Sequence, residues 1–400
     1  MSALDTIRVV DLSRVLGGPF CTQMLADHGA QVVKIEPPRG DETRGWGPPF
    51  DGETAAYFLG TNRNKQGMAL DLGQSAARTV LLDLLADADV LVENFRAGTM
   101  EKWGLGYADL AQRFPRLIYC RISGFGSTGP LGGLPGYDAV AQAMSGLMSV
   151  NGEAGGGPLR MGVPVIDIVT GMNAAIAILL ALAERTRSGK GQLVEATLYD
   201  SGLSLMHPHL PNYHLTGRSS PRTGNAHPSI CPYDLFATAS APLFLAVGND
   251  AQFRTFARVI GAEALATDPR FTNNALRLAH RDALRVAIEA ALAGLDGVSL
   301  AEQLMAEGVP CGVVSDTAGA ACHPHTEHRG MTVRIGEYTG TAAPVTLSRS
   351  PPSYRRPPPK FAEHTLEILR SLGYDDERLA ALTGTGAVPL ALAESAGKPA

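Results

Sequence analysis

Asp167 is the residue in this chain best placed to do chemistry. It lies in Gly162-Val163-Pro164-Val165-Ile166-Asp167-Ile168-Val169-Thr170-Gly171-Met172-Asn173. There an extended stretch gives way to an apolar helical pattern running from Ile168 to about Ala183. A carboxylate at that point has two uses. As an N-cap it accepts hydrogen bonds from the free N–H groups of the first turn. As a nucleophile it is kept anionic by the helix N-terminus, whose N–H groups can also hold an oxyanion. Position alone favours the cap.

Other chemistry-bearing residues gather at the ends of β-like runs. Gly17-Gly18-Pro19 follows the run IRVVDL and opens a helical pattern, an arrangement suited to a phosphate-bearing ligand. Arg39, Arg44, Lys65, Arg96 and Lys102 fall at or just beyond strand tips, where ligands collect in open α/β sheets. Singly each is an ordinary solvated charge; together they suit a phosphate-binding rim. His207, His209 and His214 have no carboxylate or cysteine at matching spacing, so no metal is expected. The dinucleotide fingerprint G-x-G-x-x-G is absent, which argues against a nicotinamide cofactor.

These residues need a scaffold. The strand-like runs at 7–12, 31–36, 68–72, 90–95, 116–122 and 193–199 alternate with helical patterns, predicting βαβ units and a parallel sheet. Residues 1–202 read as the first part of a large Rossmann-like domain, and 203–224 as an irregular linker rich in Pro, His, Asn and Ser. Residues 225–325 read as a smaller α+β domain. From 326 to 400 the chain reads as a return linker, with a strand expected at PVTLS, followed by a C-terminal part of the large domain and a tail expected to fray after Gly384. A chain of 400 residues with 45% hydrophobic content can bury a large core. The net charge of −5 gives no basic field for nucleic acid or an anionic membrane. Five scattered cysteines without a CxxC pair, and no visible secretory signal, fit a reducing, cytoplasmic setting. The longest apolar run, Ala174 to Ala183, is short for a bilayer span.

In its motifs the chain resembles the family III CoA-transferases, the group of formyl-CoA transferase, carnitine CoA-transferase and the 2-methylacyl-CoA racemases. The resemblance covers essentially the whole length. It runs through VVKIEPPRGDETR, NRNK, VLVENFRAG, ISGFGSTGP, GYDAVAQAMSG, the D-x-x-x-G-M around Asp167, RTRSGKGQLVEATLYDS, GNAHPSICPYDLF, VGNDAQF, GVPCGVV and RPPPKFAEHT. It implies two chains interlocked as a homodimer, each with a Rossmann-like large domain and a small domain. It also implies that Asp167 is the catalytic nucleophile, passing through an aspartyl anhydride and an aspartyl-CoA thioester. Coenzyme A would then be a substrate, with no tightly bound cofactor. Leu16, Gly17, Gly18, Arg39, Lys65, Asn94, Phe95, Lys102 and Tyr137 match positions lining CoA. Two departures stand out. Lys102 replaces an arginine of the formyl-CoA transferases, and their GGGGQ loop is missing, so its lid role is either absent or filled by Gly248-Asn249-Asp250.

Tyr137 separates transferase from racemase. The racemases carry His in a GHD tripeptide, where this chain has Gly136-Tyr137-Asp138. A phenol with an ordinary pKa near 10 is a poor base at neutral pH, so the transferase reading leads and the racemase is the alternative. A non-catalytic CoA-binding protein, the second alternative, predicts loss of the aspartate. The GNAHPSICPYDLF and RPPP segments look most like members using dicarboxylates such as succinate. A remote carboxylate needs a cation near Asp167, and Arg44, Arg160 and Arg222 are the candidates.

Overall fold

The computed structural model describes residues 2–393. Six parallel strands form the main sheet: β1 (Arg8–Asp11), β2 (Gln31–Glu36), β3 (Lys65–Ala69), β4 (Val90–Glu93), β5 (Ile118–Ser123) and β6 (Leu193–Thr197). Their spatial order is β3-β2-β1-β4-β5-β6. This is the doubly wound order, in which the chain reverses direction across the sheet between β1 and β4.

The near-continuous apolar runs follow from that topology, because both faces of a parallel sheet are covered. Successive side chains point to opposite faces. Val10, Ile35, Met68, Leu91 and Tyr119 pack one way, against Val80, Leu81 and Leu85 of α3 (Ser75–Leu85; α1 and α2 are Gly17–Asp27 and Ala56–Leu59). Val9, Val32, Val90, Val92, Ile118 and Cys120 pack the other way, against Cys21 and Leu25 of α1 and the long Asp167 helix. The first face is completed by residues from the C-terminal segment, Ile368, Leu369, Leu379 and Val388 among them. Of the tail expected to fray, Ala387 and Val388 are buried, and the Ala387 carbonyl accepts from the Asp71 amide at 2.9 Å. Residues 394–400 of that tail lie outside the described residues.

The helix α4 (Asp138–Met144) precedes α5 (Val165–Ser188), and α6 (Leu198–Ser204) follows β6. The helix carrying Asp167 therefore starts three residues before the predicted point, with Pro164 at its N-cap. Asp167 is not the cap but a first-turn residue. At its other end α5 closes on Gly189 in the left-handed conformation, with Arg185 and Arg187 in the last turn where the helix dipole favours cations. Its 24 residues, mean hydropathy 2.2 in the most apolar window, are long and apolar enough to cross a bilayer, contrary to the sequence expectation. One side of it is nonetheless packed into the core through Ile166, Thr170, Gly171, Ala174, Ala175 and Ile178.

Contacts divide the chain into two compact units. The larger comprises residues up to Leu147, Arg160–Leu210 and those from Glu327 on; the smaller comprises Met148–Leu159 and Pro211–Thr326. The smaller unit thus takes in 148–159, which sequence had placed in the large domain. The segment read as an irregular linker contains the helix α7 (His209–Thr216). The small unit holds an antiparallel sheet of β7 (Tyr233–Phe236), β8 (Leu243–Ala246) and β9 (Cys311–Val313), with β8 in the middle. It packs on the helices Asp250–Val259, Arg281–Leu292 and Gly297–Ala306. No strand forms at PVTLS; Thr332–Ile335 pairs instead with Tyr338–Thr341.

The site depends on the crossing of α1 and α5. A Cβ on Gly171 would lie 2.5 Å from the Gly17 carbonyl oxygen, too close for any side chain. Gly171→Ala is expected to push the two helices apart, at a cost of about 1–3 kcal/mol. The check is the denaturant midpoint compared with Ala174→Gly, which changes the same helix without the clash.

Candidate active site

The loops at the carboxyl ends of β1, β4 and β5 enclose a cavity of about 340 Å³ within the larger unit. This is where the strand order reverses, the place at which such sheets bind ligands. Arg14, Leu16 and Gly17 line it from the first loop, Asn94, Phe95 and Arg96 from the second, and Ser123, Gly124 and Gly126 from the third. Gly136 and Tyr137 close one side, and Asp167 and Leu198 reach in from α5 and α6.

The first loop is held in an uncommon shape. Val15, a β-branched residue, has φ of 68°, in the left-handed region that such side chains avoid. Strain of about 1–3 kcal/mol persists only where the surroundings dictate it. Here the Asn94 side chain grips the Arg14 backbone at both ends, donating to its carbonyl at 2.7 Å and accepting from its amide at 2.9 Å. Buried Lys34 donates to the Ser13 carbonyl at 2.8 Å and pairs with Asp41 at 3.0 Å. The amide of Asn94 is therefore committed to the loop even though the residue lines the cavity.

Asp167 sits at the meeting of two helix starts. A Cβ on Gly17 would come within 3.2 Å of the Asp167 carbonyl oxygen and 3.9 Å of its Oδ1. Among the described residues no group donates a hydrogen bond to the Asp167 carboxylate. The first-turn N–H groups expected to hold it are taken by Asp138: its Oδ1 accepts from the Ile166 amide at 2.8 Å and the Asp167 amide at 3.2 Å. The structure so reverses the expectation that the helix start keeps Asp167 ionised. Burial first, and the Asp138 charge second, push its carboxyl up to about 7. Tyr57 on α2, which sequence reading missed, faces the same pair. Burial and then the charges of Asp167 and Asp138 raise its hydroxyl, and its ring meets Trp46 edge-on at 5.2 Å.

The residues singled out from sequence divide sharply. Leu16, Gly17, Asn94, Phe95, Tyr137 and Asp167 come together in the cavity; Tyr137 is exposed. Gly18 lies behind the wall, against Ser13. Lys65 is fully buried and outside the lining, its ammonium donating to Asp11, Asn62 and the Pro19 carbonyl. Arg44 is also buried and outside the lining, in a two-point ion pair with Glu36 at 2.7 Å each. Arg39 and Lys102 are exposed beyond the lining. Arg160 is exposed and donates to the neighbouring Met161 carbonyl. In the smaller unit, Arg222 donates to the Ser149 and Gly156 carbonyls. There too Asp250 is ion-paired at 2.7 Å with fully buried Arg277. The cations that do line the cavity are Arg14 and Arg96. Arg96 was among the strand-tip cations named from sequence; Arg14, which was not, lies in the loop between β1 and α1.

The profile of CoA-transferase family III matches residues 4–365. This chain belongs to that family. It is 41% identical to a succinate–glutarate CoA-transferase from Agrobacterium fabrum, over 92% of this chain and 95% of that protein. It is 40% identical to an acetyl-CoA:oxalate CoA-transferase from Acetobacter aceti, over 90% and 93% respectively. The crystal structure of a CAIB/BAIF family protein from Brucella suis superposes with a TM-score of 0.86 at 38% identity, covering 93% of this chain and 99% of that one. The chain is a family III CoA-transferase, an enzyme acting on CoA thioesters. Among the described residues, no three His, Cys, Asp or Glu side chains cluster as a metal site would require.

The raised carboxyl has a consequence for stability. A folded protein that binds the Asp167 proton more tightly than the unfolded chain gains stability as pH falls through about 7. That gain is complete below the ordinary aspartate range, and ionised Asp167 is destabilising above pH 7. Asp167→Asn is therefore expected to be more stable than the native protein at pH 8, by a few kcal/mol, with the difference vanishing near pH 4. Paired denaturant titrations across that range measure it.

Proposed function

We propose that this enzyme moves CoA from a dicarboxylic acyl-CoA, such as succinyl-CoA, to a second dicarboxylic acid, with Asp167 as the covalent carrier. The observation that supports it is the Asp167 carboxylate, in the cavity wall, free of hydrogen bonds among the described residues and against a glycine backbone. The dicarboxylate class is supported by the relatives, which are named for succinate, glutarate and oxalate.

In this reaction an Asp167 oxygen attacks the donor thioester carbon, the C–S bond breaks, and CoA leaves as thiolate. The thiolate then attacks the γ-carbon of Asp167 in the resulting anhydride. That step releases the donor acid and leaves an aspartyl-CoA thioester. The acceptor carboxylate attacks this thioester, expelling CoA thiolate and forming a second anhydride. Attack of thiolate on the acceptor acyl carbon then gives the new acyl-CoA and restores Asp167. A carboxylate nucleophile splits one difficult exchange into acyl transfers of similar energy. Leu16, Gly17, Phe95 and Tyr137 form the CoA-facing wall of this reading. Of the basic rim named from sequence, Arg96 supplies positive charge in this reading, joined by Arg14, and the remote carboxylate assigned to Arg44, Arg160 or Arg222 falls to one of these two.

The same reading includes two chains interlocked as a homodimer in the cytoplasm. Association of two chains is supported by an apolar stripe on α5: Met172, Ile176, Leu179 and Leu180 stand exposed at helical spacing.

Incubation with succinyl-CoA is expected to add the mass of CoA, less water, to the Asp167 peptide, and hydroxylamine to remove it. Asp167→Ala should lower the exchange of labelled glutarate or oxalate into CoA thioester by about 10³-fold or more. An Asp167→Ala enzyme that still exchanged label would sink the covalent mechanism. A native enzyme that racemised a 2-methylacyl-CoA but transferred to no acid would establish the racemase instead.

A further inference from the structure

Asp138 is buried at the start of α4, yet one oxygen of its carboxylate serves another helix. Oδ1 accepts the Ile166 and Asp167 amides of α5. Oδ2 accepts from Gln142 at 2.6 Å, and the fully buried Gln142 in turn accepts from the Met161 amide at 2.9 Å. One carboxylate thus caps a helix that begins 27 residues further along the chain, while its partner fastens the loop leading into that helix. Pro164, at the N-cap itself, supplies no side-chain cap.

Asp138 takes the hydrogen bonds that Asp167, in the same first turn, would otherwise compete for. It also places a second carboxylate beside the first. We propose that Asp138 is the positioning residue of the active site: by capping α5 in place of Asp167, it holds that carboxylate unpaired and facing the cavity beside a like charge. This rests on the reading of Asp167 as the acyl-carrying nucleophile. A carboxylate deprived of donors and set near another anion is more basic, and therefore a stronger nucleophile toward a thioester.

The other titratable groups on elements packed against the start of α5 do not supply this effect. Tyr57 on α2 is a neutral phenol whose hydroxyl is raised further. Cys21 on α1 and Cys120 on β5 are buried thiols pushed upward. Arg121 on β5 is committed to Glu93 and Glu101, and Glu195 on β6 accepts from Ser127. Asp200, near the start of α6, lies in the first turn capped by Thr197.

The test reads Asp167 directly, without turnover. Carbodiimide coupling to Asp167, followed by peptide mass spectrometry across pH 4–9, gives its titration midpoint in the whole protein. Asp138→Asn and Asp138→Ser each keep an acceptor oxygen and remove the charge. The native midpoint is expected near 7, and both variants should lower it by about one pH unit. In the transfer assay, the acid limb of the rate should move down by the same amount. An ordinary aspartate midpoint in the native protein overturns the proposal, as does a midpoint unmoved by either substitution. Failure of both variants to fold would make Asp138 a stability element only, and also overturns it. A shifted midpoint in an enzyme that transfers CoA to no dicarboxylate leaves the proposal standing and removes the substrate reading instead.

Discussion

The close approach of Gly17 and Gly171 is the constraint on which the site depends. Two helices can bring their backbones into contact only where neither has a side chain, and here the missing Cβ of Gly171 faces a main-chain oxygen. The contact sets the first turn of α5 against the first turn of α1. Asp167, one turn before Gly171, then has nowhere to go but the rim of the cavity. The small residues that follow it toward the core, Thr170, Ala174 and Ala175, continue the same close packing.

Around that contact the charges divide into struts and tools. Lys65 with Asp11, Lys34 with Asp41, Arg44 with Glu36 and Arg63 with Asp27 are all buried. Each is a pair whose separation would strand a charge, at a cost of about 3–5 kcal/mol. Two of them, Lys34 with Asp41 and Arg44 with Glu36, tie the loop after β2 to the sheet, and Lys34 also reaches the strained first loop. Arg96 and Arg14 face the cavity instead, Arg14 in a half-exposed ion pair with Glu42 at 3.1 Å. Such internal pairs carry the same residue types a phosphate site would use, which is why they resemble one in sequence.

Much of the scaffold was legible in the sequence. Alternating apolar runs located all six strands of the main sheet, because a strand buried on both faces leaves a continuous signal. The run placed at 68–72 begins in fact at Lys65, whose polarity hid it: its partner Asp11 lies 54 residues away. Asp167 was legible as an unusual acid, and the family motifs assigned it. The beginning of its helix was not, since the capping carboxylate comes from another helix and no window around Asp167 contains it. Tyr57 was invisible for the same reason. The strand expected at PVTLS failed because the local pairing of Thr332–Ile335 with Tyr338–Thr341 satisfies that hairpin without it.

A carboxylate held by no donor is also free to turn about its χ angles. In the proposed cycle the electrophile alternates between the substrate's acyl carbon and the γ-carbon of Asp167, so one side chain must first present an oxygen and then a carbonyl face. An aspartate clamped by two amides would be fixed for one of these roles and misaligned for the other. In that proposed cycle, freedom to turn would let one residue serve both halves of the exchange.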